Sequence, residues 1–257
     1  RRQIVKSDEL VLEARGLIRA PYINNIDLIL HRGEVLGIAG LMGAGRTELM
    51  RALYGADQLD SGSIEVNGSA AYLSSPRKAL DQGLGLAPED RKTQGLVLSM
   101  PVAHNATIPS LSKYVGPFGL NLRKETAAAE DLCEKLFVKY ASLSQPAGNL
   151  SGGNQQKALI ARWLQTESDV WLLDEPTRGV DVASKLAIHA KLRELRDLGA
   201  CLLIVSSELE ELTALSDRIL VLSNRKAVAT FERGQWSNEQ LLVEMFSAHR
   251  GQRVVNH

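Results

Sequence analysis

Cysteine is scarce. Cys133 and Cys201 are the two in 257 residues, too few and too far apart for a disulfide framework or a zinc cluster, which fits a reducing compartment. Long apolar runs are missing as well: residues 170–173 and 200–205 stop well short of the ~20 residues of a membrane-spanning helix, so nothing here reads as crossing a bilayer. Neither sign of charge dominates. Lys+Arg 30 against Asp+Glu 30 gives a formal net charge of +0, which argues against a nucleic-acid partner gripped by bulk electrostatics. The chain starts Arg1-Arg2-Gln3, with no initiator methionine and no signal-peptide core, and is expected to be a piece of a longer polypeptide.

What remains is an ordinary globular composition, 44% hydrophobic and 23% charged. Short strand-like runs alternate with helical patterns: 34–39 then 47–54, 170–173 then 182–198, 201–205 then 209–215. Such alternation predicts a parallel sheet with helices on its faces. Ahead of it, 10–15, 23–30 and 63–66 read as half-buried strands of an antiparallel flank. Between residues 101 and 166 the pattern changes to a Pro/Gly loop at 109–119, a polar helix over 123–140 and a helix from about Ser151, a helical insert in an α/β core.

Gly40-Leu41-Met42-Gly43-Ala44-Gly45-Arg46-Thr47 follows a buried strand and opens an apolar helix. It fits the phosphate-loop template, with Arg46 where lysine is expected. Gly40, Gly43 and Gly45 let the backbone curl so that N–H groups, including that of Ala44, face a phosphate, and Thr47 offers its hydroxyl to Mg²⁺. A Gly-rich turn without a ligand is the plain alternative. Residues 170–175 form an apolar strand ending in Asp174 and Glu175, a costly place for two charges unless something uses them. Beside a phosphate loop, Asp174 would hold the metal and Glu175 would orient or deprotonate the attacking water; an ordinary acidic turn is the alternative.

Leu150-Ser151-Gly152-Gly153-Asn154-Gln155-Gln156 opens a second helix with several free N–H donors. At this point the sequence resembles the ATP-binding cassette (ABC) family, whose LSGGQ signature it matches apart from Asn154. The likeness runs from about Val11 to Phe246 and includes Asp181 at the D-loop position. More narrowly, residues 40–49, Pro88-Glu89-Asp90-Arg91-Lys92 and the signature resemble the second, C-terminal cassette of the fused ATPases of bacterial monosaccharide importers.

The resemblance implies a P-loop NTPase fold with a RecA-like parallel-sheet core, an antiparallel β flank and a helical signature subdomain. It implies one cassette over 1–257, with core and flank at 9–90 and 168–246, insert at 91–167 and a tail at 247–257. ATP and Mg²⁺ are the implied cofactors. Ser151, Gly152, Gly153 and Gln155 would contact ATP held by the N-terminal cassette of the same polypeptide. Glu89, Asp90 and Arg91 would meet integral membrane permease subunits, and a periplasmic or extracellular solute-binding protein would act indirectly. The place implied is peripheral, on the cytoplasmic face of the cell membrane. For the Glu-Asp-Arg-Lys stretch a solvated charged turn stays open.

Three departures stand out against that family. Arg46 replaces the phosphate lysine, Glu89 stands where a glutamine would join Mg²⁺, and Ser207 stands where the switch histidine is expected. Serine cannot supply an imidazole to a γ-phosphate. None of His31, His104, His189, His249 and His257 falls at that place, and each reads as a surface or core residue. Tyr22 is the nearest aromatic for stacking on adenine, or else a turn residue packed on the core. The expectation is a transport ATPase cassette whose own site is degenerate and whose signature completes its partner's site. The alternative is an ATP-binding regulatory or scaffold cassette that hydrolyses little.

Overall fold

The computed structural model describes residues 7–117, 119–166 and 168–250. Strands β1 (Leu10–Arg19) and β2 (Ile23–His31) pair antiparallel, and β3 (Val35–Gly40) runs into helix α1 (Arg46–Leu53). β4 (Ser61–Val66), β5 (Ser69–Ala70), α2 (Pro76–Asp81) and β6 (Leu84–Ala87) follow. Next come one π-helical turn (Arg91–Gly95), α3 (Val102–Thr107), a 3-10 segment (Ile108–Tyr114), the small hairpin β7 (Val115–Gly116) and β8 (Gly119–Leu120), α4 (Leu122–Lys135) and α5 (Gly152–Ala161). The chain returns through β9 (Val170–Asp174), α6 (Val182–Asp197), β10 (Cys201–Val205), α7 (Leu209–Leu215), β11 (Arg218–Ser223), β12 (Lys226–Glu232), α8 (Asn238–Met245) and α9 (Ser247–Arg250). Of the expected tail, 247–250 make up α9, and 251–257 lie outside the described residues.

The contacts divide into two compact units. Among the described residues, one comprises 7–86, Asp169–Glu175 and 193–250; the other comprises Ala87–Ser168 and Pro176–Leu192. The second thus extends the expected 91–167 insert by the stretch after Glu175. That stretch is held there because Asp181 caps the start of α6 and, with Ser184, packs where Gly153 has no side chain.

The first unit is α/β. Its larger sheet has the order β12-β11-β3-β10-β9-β6, and its smaller antiparallel sheet the order β2-β1-β4-β5. Every residue of β3, β9, β10 and β11 is buried, the expected outcome for near-continuous apolar runs in a parallel sheet covered on both faces. By contrast, β12 alternates exposed and half-buried positions as an edge strand does. Leu36, Ile38, Leu49, Met50, Leu53, Leu172 and Leu203 share one core at 2% exposure or less, each burial contributing about 1.5–3 kcal/mol.

A charged pair sits inside that apolar frame. Arg218 donates to Glu34 through Nε at 2.6 Å and Nη2 at 3.2 Å, and to the Ile29 carbonyl at 2.7 Å. Burial pushes the Glu34 carboxyl up, but the hydrogen bonds from Arg218 and the His31 amide outweigh it and hold the group below the ordinary carboxylate value. Both cysteines are buried and free. Burial raises the Cys133 thiol to about 11 and the Cys201 thiol to about 12, so neither is a reactive thiolate.

Local expectations fail where no glycine marks a turn. The polar helix stops at Lys135, short of the expected Tyr140, because Phe137 adopts φ 53°. Its N–H reaches the Glu134 carbonyl at 3.0 Å and the Val138 N–H reaches Cys133 at 2.8 Å, a Schellman end built on phenylalanine. The expected loop at 109–119 is largely the 3-10 segment and small hairpin instead. The β11–β12 hairpin turns on Asn224 and Arg225, φ 45° and 68°, a two-residue turn of the kind usually made with glycine.

Strands β9, β10 and β3 are adjacent and parallel, in the register Asp174, Val205, Ile38. Their carboxyl ends therefore open on one edge, the place where α/β sheets bind ligands.

Candidate nucleotide site

Three loops of the first unit leave that edge together. After β3, Gly43 takes φ 80° and Gly45 φ 96°. Gly45 is the N-cap of α1 and makes no side-chain cap, so the first N–H groups of the helix are left for a ligand. A Cβ on Gly45 would stand 2.6 Å from the Tyr22 carbonyl oxygen, and one on Gly40 would stand 2.8 Å from the Leu222 carbonyl oxygen. Glycine is therefore required at both. Ala44 is buried, and its N–H is spent on the Leu41 carbonyl at 3.0 Å.

After β9, Asp174 is 2% exposed and Glu175 is 7% exposed with φ 51°, a conformation costing roughly 1–3 kcal/mol in a non-glycine residue and typical of functional sites. After β10 come Ser206 and Ser207. The side chains converge: Arg46 Nη1 donates to the Ser206 carbonyl at 2.8 Å and lies 3.9 Å from Glu175 Oε1, while Ser207 Oγ donates to Glu175 Oε2 at 3.1 Å. Arg46, Glu175 and Ser207, separate in sequence, thus form one cluster in which a serine and an arginine hold the carboxylate from two sides.

The glycine cradle, with its capless helix start and the positive Arg46, fits a nucleotide's phosphates. Thr47 in the first turn of α1 and the buried carboxylate of Asp174 supply the hard oxygens that suit Mg²⁺, which keeps several waters and needs few protein ligands. No group of three or more His, Cys, Asp or Glu that could hold a metal ion occurs among the described residues. The Tyr22 ring carries the Arg19 guanidinium 4.7 Å above its centroid and is 41% exposed.

The second unit carries the signature. Ser151 caps α5, its Oγ accepting from the Asn154 N–H at 3.4 Å and from Asn154 Nδ2 at 2.9 Å. Asn154, the residue that breaks the usual motif, also accepts from the Lys139 N–H at 2.8 Å. A Cβ on Gly153 would lie 2.7 Å from Ser184 Oγ and 3.0 Å from Asp181 Oδ2, so that these two side chains take the room its glycine leaves. Asp181 accepts from the Ser184 N–H at 2.9 Å and its hydroxyl at 2.8 Å, bonds that lower its pKa.

Gln155, expected among the nucleotide contacts, has its side chain turned inward at 5% exposure. Its Nε2 donates to the Leu150 carbonyl at 3.1 Å and to Ala147 and Gly148 at 3.4 Å. It shapes the turn before the signature. Glu89, expected to help hold the metal, pairs with the Arg178 guanidinium. Asp90 Oδ2 accepts from the Thr93 hydroxyl at 2.7 Å and Oδ1 from the Lys92 N–H at 2.9 Å, which lowers its pKa and caps the π-helical turn. Arg91 donates to the Arg178 carbonyl at 2.9 Å. Arg178 and Ser206 take part through their carbonyls, and a backbone carbonyl leaves no trace in residue type. Of the histidines, His31 and His104 contact Glu34 and Glu125 at 3.0 and 2.7 Å, and His257 lies outside the described residues.

Comparison with known proteins bears on the family and the fold. Residues 23–178 match the profile of the family described as ABC transporter. The chain is 44% identical over 232 residues to the ribose import ATP-binding protein RbsA of Jannaschia sp. (strain CCS1), covering 90% of this chain and 45% of that protein. It is 45% identical over 218 residues to a putative ribose/galactose/methyl galactoside import ATP-binding protein of Albidiferax ferrireducens, covering 84% and 43%. The chain thus spans a little under half the length of these relatives. Among solved structures, a dimeric post-hydrolysis state of the cassette MJ0796 bound to ADP and Pi superposes with TM-score 0.76 at 18% identity, over 88% of this chain and 100% of that one. A nucleotide-free cassette from an ABC transporter gives TM-score 0.75 at 21% identity, over 93% and 95%. At those identities the structures speak for the fold, and the profile match over more than half of the residues settles the family: this chain belongs to the ABC transporters.

Proposed function

We propose that this chain is a nucleotide-binding cassette of a sugar-import ATPase, of the ribose or galactose class that its relatives' names describe, and the second of two cassettes fused in one polypeptide. The observation that carries the reading is the meeting of the glycine cradle, Glu175 and Ser207 at the carboxyl ends of three adjacent strands. In this reading Gly40, Gly43, Gly45, Arg46 and Thr47 bind the phosphates of ATP, Glu175 orients water or takes its proton, and Ser151 with Gly152 and Gly153 faces the ATP held by the first cassette. Mg²⁺, held by Thr47 and Asp174, supplies charge neutralisation at the phosphates. The loop of Glu89, Asp90 and Arg91 meets the permease subunits at the cytoplasmic face of the membrane, and no nucleic acid takes part. None of the described helices is long and apolar enough to cross a membrane.

The chain's own site is read as slow. Ser207 brings a hydroxyl where an imidazole would reach the γ-phosphate, and it donates to the same carboxylate that must act as base. A regulatory cassette that binds ATP to hold the pair closed draws on that same contact and is the second reading. The test is sugar uptake by the full-length protein with its permease and binding protein: Ser151→Ala cuts uptake more than Arg46→Ala does. Equal or reversed losses overturn the asymmetry.

A further inference from the structure

Three separate pieces of the second unit meet on one guanidinium. Arg91 Nη1 donates to the Arg178 carbonyl at 2.9 Å, and its Nε donates to Gln155 Oε1 at 3.4 Å. Its Nη2 lies 2.8 Å from where a Cβ on Gly152 would stand. The same fork therefore binds the turn before Asp181 and the buried glutamine that shapes the signature turn, and it occupies the space beside the first residue of α5. Its own backbone is fixed, because Asp90 accepts from the N–H groups of Lys92 and Thr93 at 2.9 and 3.3 Å. The turn it grips is fixed too, through the ion pair of Glu89 with Arg178. Glu89, Asp90, Arg91, Lys92, Arg178 and Gly179 line an open depression of about 510 Å³.

We infer that Arg91 is a positioning residue of the signature: its planar fork locks Ser151 and Gly152 at the start of α5 to the turn preceding Asp181, and ties both to the 89–92 loop. The inference rests on the reading that Ser151 meets nucleotide. Arginine is needed because the acceptors lie at different ends of a rigid fork; a lysine ammonium is a single point and reaches one of them. Glycine at 152 leaves the space that the guanidinium takes. Any shift of the 89–92 loop then reaches the signature as movement of one stiff side chain.

The test is steady-state MgATP turnover by the full-length protein carrying Arg91→Ala, Arg91→Lys, Ser151→Ala, or Arg91→Ala with Ser151→Ala. Arg91→Ala lowers turnover about tenfold, the lower end for hydrogen bonds from a charged, partly exposed donor. The double variant is no slower than Ser151→Ala alone, because Arg91 acts through the turn that bears Ser151. A general loss of stability would instead multiply the two effects. Should Arg91→Ala fail to fold, Arg91→Lys carries the test, with turnover several-fold down at an unchanged melting midpoint. Multiplying losses, or normal turnover in both Arg91 variants while Ser151→Ala is slow, overturns the inference alone. Normal turnover in Ser151→Ala overturns the reading beneath it as well.

Discussion

Gly45 gives the sharpest stability prediction because two penalties can be separated there. Alanine at φ 96° bears the cost of a left-handed backbone, about 1–2 kcal/mol. In addition its Cβ would stand 2.6 Å from the Tyr22 carbonyl oxygen, a backbone atom that cannot swing away. Ordinary contact requires the loop before α1 and the segment after β1 to part, and that segment is pinned two residues on by the Asn24 N–H to the Arg225 carbonyl at 2.9 Å. The two penalties together come to roughly 3–4 kcal/mol, in the range of overpacking a tight site. Gly43 serves as the control: its φ is 80°, yet nothing lies within 4 Å of a Cβ there, so Gly43→Ala carries the backbone cost alone. Urea unfolding of the two variants measures the difference, expected at about 2 kcal/mol in midpoint stability at unchanged slope. Equal stabilities would refute the clash and with it the close packing that shapes the phosphate cradle.

Glu34→Gln flattens the acid limb of stability. With its folded pKa below the unfolded value, Glu34 contributes stability that is present above the unfolded pKa and lost as pH falls through the folded one. Urea midpoints should therefore differ between wild type and Glu34→Gln near neutrality and converge in acid; a constant gap contradicts this. Phe137 is 72% exposed at φ 53°, so Phe137→Gly removes strain and little burial and is expected to raise stability by about 1 kcal/mol in thermal unfolding. A lowered melting midpoint would show that the ring packs more than its exposure suggests.

Much of the site was legible in residue type. Gly40, Gly43 and Gly45 could be read because a left-handed turn and a close backbone approach both demand glycine, and Asp174 and Glu175 because charge at the end of a buried strand needs a reason. The helix start at Ser151 was legible, and so were the buried runs of β3, β9 and β10 as parallel strands. What escaped depends on backbone atoms or on unusual residues in glycine's role. The Ser206 and Arg178 carbonyls that receive Arg46 and Arg91 have no sequence signature. Phe137, Asn224 and Arg225 adopt positive φ without being glycine, which hid the end of α4 and the β11–β12 hairpin. Gln155 was read outward by its place in the motif, whereas the carbonyls of Ala147, Gly148 and Leu150 draw it in.

The central claim is that this signature serves the partner's ATP while the cluster of Arg46, Glu175 and Ser207 does little hydrolysis. Its most direct test is steady-state ATP turnover by the reconstituted importer carrying Glu175→Gln beside one carrying Ser151→Ala. Glu175→Gln is expected to stay within about twofold of wild type while Ser151→Ala loses tenfold or more, the scale of removing one transition-state contact. A large loss in Glu175→Gln with near-normal turnover in Ser151→Ala would contradict it.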